Sequence, residues 1–449
     1  MILSARHIAR CFLLCGAAAL AGCASYEHLA LDKEPRLVAN ASELEGGGGK
    51  PIRLATLDRL VVLNNPDLWA ARAKLGLGVA QVIQAGILPN PQADVTYPFV
   101  IAGPGVMQNV RAILLLDTKR DAAQNAASQI YATLLWQEWQ TIGKARLLFV
   151  DIISGERTRM LISQSHKFLQ ERFDLTNRAM NQGNATLSAL SPDLIALSDL
   201  ENASNNLERL QLSRRQQLNA LLGLAPGAKL ALAASPDLPR IDSPAIRRQL
   251  ATLADRRPDL VALQYGYRSE DAKVREAILS QFPNLSVGVA SVGTSNSINS
   301  LTFGPHVTMD LPIFDRNQGG VALERATREQ LYREFNARIS AATGEIGALL
   351  SEQSLLSRQL ADLEPRLKEA RLIAEKTAAA FAQGTLDERS YVDIEVARLT
   401  REREKIGLQQ AILEGQVGLA TLVGAGMPQI EIEPDLPPAG RLGGPRTPL

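Results

Sequence analysis

The sequence predicts an α+β membrane protein, a duplicated unit of long antiparallel coiled-coil helices plus two β-hairpin strand pairs. Three observations lead there. Landmarks recur at a near-constant offset along the chain. Two stretches of roughly 65 residues hold almost no proline. Short segments ahead of each stretch alternate apolar and polar residues.

Composition removes several other classes. The chain has 449 residues, 46% hydrophobic and 21% charged, with a formal net charge of +1. Too much of it is apolar for a disordered chain, and it has no excess of basic charge with which to bind nucleic acid. Beyond the N-terminus the longest apolar runs are short, such as Ala112–Leu116. A spanning helix needs roughly 20 apolar residues, so helices do not carry this chain across a bilayer.

The duplication is read from matched landmarks. Asn65-Pro66-Asp67-Leu68 answers Arg257-Pro258-Asp259-Leu260 at an offset of 192 (258 − 66), and Ala80/Ala272, Val82/Val274 and Pro91/Pro283 follow without a gap. Gln182-Gly183 answers Gln383-Gly384, and Leu222-Gly223 answers Val423-Gly424, both at 201 (384 − 183 and 424 − 223). Two units therefore span residues 52–224 and 243–425, joined by a Pro- and Gly-containing linker over 225–242. Residues 426–449 read as a flexible tail.

Each unit has the same order: helix, two strands, very long helix, shorter helix. The first helix is expected over Leu54–Leu88, ending at Pro89 and Pro91. The first strand alternates Ala93, Val95, Tyr97 and Phe99 with Gln92, Asp94 and Thr96. In the second unit Leu285, Val287 and Val289 alternate with small residues, and Phe303, Val307 and Met309 with His306, Thr308 and Asp310. Period-2 alternation suits both a tilted membrane strand and a sheet over a soluble core.

The long helices are expected over Thr118–Gln182 and Asn317–Gln383, the second kinked at Pro365. Leu331, Phe335, Ile339, Ala342, Ile346, Leu349 and Gln353 fall at coiled-coil spacing. Gly183 and Gly384 suit left-handed C-caps that reverse the chain. The first return helix would pack through Leu200, Ala203, Leu207 and Leu210. Ser191-Pro192 reads as its N-cap and first helical residue.

Four strands cannot close a membrane barrel, and an open edge in lipid leaves backbone groups unsatisfied. If the strands span a membrane, chains must share a barrel, and three chains would give twelve strands standing on a tube of helices.

The N-terminus reads as an address. Arg6, His7 and Arg10 precede the short apolar stretch Cys11–Gly22, and Leu20-Ala21-Gly22-Cys23 ends it. This ending resembles a bacterial lipoprotein signal. That resemblance implies removal of residues 1–22, acylation of Cys23 (a palmitate among the chains) and, with no Asp after it, sorting to the outer membrane. Residues 23–51 then form a lipid-anchored linker, flexible at Gly46–Gly49. Cys11 and Cys15 would leave with the leader, and no disulfide could form.

Over about residues 52 to 425 the chain resembles the TolC-type outer-membrane efflux proteins. The stretches that carry the likeness are Asn65–Leu68, Gln84–Pro91, Arg256–Leu260 and Leu311–Gly319; the last is nearest to the CzcC-like heavy-metal efflux branch. The resemblance implies a homotrimer forming a 12-stranded β-barrel on an α-helical barrel, lodged in outer-membrane lipid. It further implies docking to a periplasmic adaptor and an inner-membrane pump of the resistance-nodulation-division type. The helix tips at Gly183, Gly384 and Thr385 would contact the adaptor, although Asn184 stands where the family commonly has a hydrophobic residue. Acidic residues past the tips, Asp393 first and then Glu395 and Asp193, would ring the periplasmic aperture. Acidic residues in a first helical turn are also ordinary dipole partners.

No catalytic constellation is legible and no cofactor is expected. His28, His166 and His306 make no pair at metal-ligand spacing, and Gly46–Lys50 lacks the glycine spacing of a phosphate loop. Trp136 and Trp139 read as packing residues. The competing reading is a lipid-anchored periplasmic coiled-coil scaffold without a pore.

Overall fold

A computed structural model describes residue 26 and residues 28–48, 51–94, 105–238, 242–293 and 301–424. The leader, Cys23, the strand positions Val95, Tyr97 and Phe99, and the tail lie outside the described residues. Residues up to Leu37 form one unit, with neither helix nor strand among those described, and Val38 opens the second.

The second unit runs α1 (Leu54–Asn64), α2 (Pro66–Ala85), β1 (Gln92–Asp94), β2 (Gly105–Asn109), α3 (Val110–Asn181) and α4 (Leu187–Leu221). The same order then repeats as α5 (Ser243–Gln249), α6 (Pro258–Leu279), β3 (Leu285–Gly293), β4 (Leu301–Met309), α7 (Gln318–Ala382) and α8 (Glu388–Val423), with a single turn at Leu253–Arg256 before α6.

The expected first helix is two helices. Pro66 has no amide to give the ladder and disfavours helical backbone at Asn65. Asn65 is extended and caps the next helix, its side chain accepting from the Leu68 amide at 3.0 Å and donating to the Leu221 carbonyl at 2.9 Å. In the second half Arg257 takes this place and grips Asp259 through two bonds of 2.8 and 3.0 Å. Helix α3 begins eight residues before Thr118, because the Asn109 side chain caps it at the Ala112 amide. Its 72 residues span about 110 Å at ~1.5 Å per residue. Helix α7 continues through Pro365 for 65 residues. At its start the Leu311–Gly319 loop turns β4 into the helix, with Asn317 left-handed and bonded to the Ala277 carbonyl of α6 at 2.9 Å.

The α7 seam packs as its spacing predicts. Ala342, Ile346 and Leu350 are buried with Leu260, Leu419 and Val423, flanked by Phe335, Ile339 and Leu349. Gln353 gives its amide to the Ile412 carbonyl at 2.9 Å, across from Gly415. On α4 the expected stripe holds at Leu200 but fails at Leu210, which is exposed; Gln211 is buried instead, where Gly155 of α3 leaves room for its amide. The tryptophans do pack: Trp136 lies under the Arg257 guanidinium at 4.6 Å, and Trp139 donates to the Thr421 carbonyl of α8 at 3.0 Å.

The core nearest the chain's start gathers Leu57, Leu60, Val61, Phe149, Ile152, Leu218 and Leu222, all fully or almost fully buried. Each contributes about 1.5–3 kcal/mol by leaving water. The stretch expected to be a free linker joins this core: Leu44 and Ile52 are buried, Asn64 exchanges bonds with the Glu45 backbone at 3.0 and 3.1 Å, and Val38 bridges Leu224. Apolar side chains and a paired backbone anchor it. Glycines alone would have left it free.

The strands form one antiparallel sheet, β1-β2-β3-β4, and the β2–β3 pairing ties the two halves together. Register sorts its faces. Leu285 faces Met309, Val287 faces Val307 and Val289 faces Pro305, while Ser286 faces Thr308 and Gly288 faces His306. One face is thus apolar and the other polar or small. Val287, Val289, Phe303 and Val307 are exposed, and β1 and β4 stand at the two edges.

Candidate functional site

The tips of the two helical hairpins, remote from the sheet along α3 and α7, hold the residues singled out from the sequence. Both reversals use the same hydrogen bonds. Gly183 (φ +79°) donates to the Met180 carbonyl at 2.9 Å and Asn184 to Ala179 at 2.8 Å. Gly384 (φ +71°) donates to Phe381 at 2.9 Å and Thr385 to Ala380 at 3.0 Å. This is the Schellman arrangement, which needs a left-handed residue at the glycine. Gly183, Asn184, Gly384 and Thr385 are exposed, and nothing lies near either glycine that a side chain would strike.

The return helices start differently. Helix α4 begins at Leu187 after Thr186, so Ser191-Pro192 is no N-cap and Pro192 lies inside the helix. The Gly183 reversal already aims the chain, and α4 tolerates the one amide that Pro192 lacks. Helix α8 begins with Asp387, whose carboxylate accepts from the Ser390 amide at 2.9 Å and the Ser390 hydroxyl at 2.7 Å. Those bonds, the amide first, hold the Asp387 carboxyl below its usual range.

Just behind the tips, Arg172 of α3 brings two of the expected aperture residues together. It is ion-paired to Asp193 of α4 at 2.8 Å and to Asp393 of α8. Arg172 is 7% exposed and Asp193 fully buried, with Thr176 donating to the Asp193 carboxylate at 3.1 Å. The side chain of Asp393 is 60% exposed. Glu395 is buried and bound by Arg398 at 2.9 Å. Of the three acids, only Asp393 keeps its carboxylate substantially in solvent. Asp193 and Glu395 are turned inward, where a paired cation makes the buried charge tolerable.

Sequence reading missed Arg172. The signal was there: Ile162, Ser165, Leu169 and Arg172 fall at spacings of 3-4-3 along one face, and all four are buried. A cation on an apolar stripe requires a buried anion. Around it Leu169, Leu197, Leu200 and Val392 make a small core. Tyr391 stacks on Phe381 at 4.7 Å and meets Phe168 edge-on at 5.9 Å, locking the second tip against α3. Burial, then the charge of Glu395, pushes the Tyr391 hydroxyl up. Among the described residues no cluster of three His, Cys, Asp or Glu could hold a metal, and no helix is long and apolar enough to cross a membrane.

Long helical hairpins with exposed reversing tips thus lie at one end of the fold, and an open sheet with an apolar face lies at the other. Residues 250–425 match the family model described as outer membrane efflux protein. The chain is 21% identical over 326 residues to the probable outer membrane lipoprotein SilC of Salmonella typhimurium, covering 68% of this chain and 66% of that one. It is 26% identical over 223 residues to the outer membrane protein OprJ of Pseudomonas aeruginosa, covering 46% of each. The match thus spans just under two thirds of the first relative and about half of the second. In fold it is similar to the outer-membrane channel OprN, with a TM-score of 0.66 and 15% identity over 90% of this chain and 99% of that one. The likeness to outer membrane efflux proteins thus covers residues 250–425 by family model and most of the chain in fold.

Proposed function

We propose that this chain is one protomer of a homotrimeric exit duct, the outer-membrane channel of a tripartite efflux system. The duct passes substrate passively from periplasm to outside, and the chain performs no chemistry of its own. One observation carries the reading: a four-stranded sheet with an apolar face and two edges runs directly into helices of 72 and 65 residues. Four strands cannot shield their own edges in lipid, and twelve can. Three chains therefore share one barrel, and their helices form the periplasmic tube.

The remaining assignments follow from that reading. Cys23 carries the lipid. The tips at Gly183, Gly384 and Thr385 meet a periplasmic adaptor, which couples the duct to an inner-membrane pump of the resistance-nodulation-division type. Asp393 supplies the acidic lining of the narrow end, where three symmetry copies would attract cations and repel one another. Arg172 holds Asp393 against Asp193, so freeing Asp393 frees the end of α8.

The test is a charge on the lipid face. Val307→Asp should abolish trimer assembly in the membrane and ion conductance in planar bilayers while leaving the helical content of the protein intact. A monomeric wild-type protein without conductance would instead establish the pore-less scaffold.

A further inference from the structure

Partway along α3, three helices from both halves of the chain converge on Asp151. Arg214 Nε of α4 lies 3.2 Å from its Oδ2, and Gln211 Nε2 of α4 donates to its carbonyl at 3.2 Å. From α8, Gln410 Nε2 donates to Asp151 Oδ1 at 2.9 Å and, with its second hydrogen, to Glu414 Oε1 at 2.7 Å. One amide thus holds two carboxyl groups side by side. Asp151 and Glu414 are both partly buried, and among the described residues Arg214 is the cation paired with them, set on the far oxygen of Asp151. The neighbouring Arg215 and Glu156 are paired with each other. Two carboxylates against one guanidinium leave an excess negative charge away from bulk water, a charge that a single proton between the acids removes.

We propose that Asp151 and Glu414 form a proton-binding site that clamps α8 to α3 when occupied and releases it when empty. A proton suits the site better than a metal ion, because the other groups facing it are an amide and a guanidinium, which are donors. Burial first, then the hydrogen bond with Asp151, raises Glu414 to about 7, against the lowering effects of Gln410 and Arg214. The sign follows. A carboxyl whose folded value lies above its unfolded one stabilises the fold fully below the unfolded value of 4.5, and this contribution is lost as pH rises through about 7. The α3–α8 contact is therefore tightest in mild acid and loosens on the alkaline side of neutrality. Because α8 also carries Asp393, the proton at Glu414 and the ion pair at Arg172 act on one helix.

Hydrogen exchange of the full-length protein in detergent micelles, read from pH 5.5 to 8.5 after correction for intrinsic rates, tests the site. Peptides over residues 405–420 and 145–155 should lose about tenfold in protection between pH 6 and 8.5. Glu414→Gln should abolish that slope and keep the protection high, since its amide can still donate to Asp151. Asp151→Asn should also flatten it, which keeps the test alive if the first variant fails to fold. Glu324 of α7, raised to about 7 chiefly by its hydrogen bond with Glu270, lies on another helix pair, and its local slope should survive both substitutions. A flat wild-type profile, or a full slope remaining in Glu414→Gln, would overturn the proposal.

Discussion

The two tips reverse the chain with identical hydrogen bonds yet dispose of their acids in opposite ways. Asp193 lies ten residues past Gly183 and is buried, while Asp393 lies nine residues past Gly384 and is largely exposed. Thr186 and Asp387 begin the return helices three residues after each glycine, so the difference is one helical step. One residue turns a side chain by about 100° on an α-helix. That rotation is enough to move a carboxylate from the solvent edge into the groove behind it. A duplicated architecture thus yields one structural acid and one accessible acid from nearly matched positions.

Arg172→Ala gives the sharpest test of this asymmetry. It strands the buried Asp193 and should cost about 3–5 kcal/mol in stability. Asp393→Ala removes the exposed partner of the same guanidinium and should cost under about 1 kcal/mol. Equal losses in thermal midpoint would erase the distinction. The helix starts offer a similar contrast: Arg257→Ala leaves the buried Asp259 with the Leu260 amide and, among the described residues, the Arg338 cation at 3.7 Å, and should approach ~3 kcal/mol. Asn65→Ala loses an N-cap, for about 1 kcal/mol. Gly183→Ala and Gly384→Ala should each cost roughly 1–2 kcal/mol and by equal amounts, since the strain lies in the backbone and neither site has a neighbour to strike. The smallest effect is expected at Pro192→Ala, which restores one amide to the Ser188 carbonyl and should raise amide protection over residues 187–193 by under about 1 kcal/mol.

Much of this was legible because it depends on periodicity. The absence of proline gave α3 except for its first eight residues, the 4-4-3 spacing gave the α7 seam, and the glycines marked both reversals. Where reading failed, a local rule met a competing one. Pro66 serves as a repeat landmark, and the same residue breaks the expected first helix. Pro192 suggests a boundary because proline favours first helical positions, yet α4 accommodates it one turn further in. The Asp193–Arg172–Asp393 cluster joins residues up to 221 positions apart, and pairing at that range leaves no spacing to read. Leu210 yields its expected buried place to Gln211 because Gly155, on a different helix, opens the space for an amide.

The bond from Trp139 to the Thr421 carbonyl carries a consequence for biogenesis. It joins residues 282 positions apart, and Gly143 beside it lies close against Thr421. Helix α3 is made well before its partner on that face, which follows 282 residues later. Until then its apolar stripe has nothing to cover it, and contacts of such sequence separation form slowly. A nascent chain with that stripe uncovered is prone to aggregate.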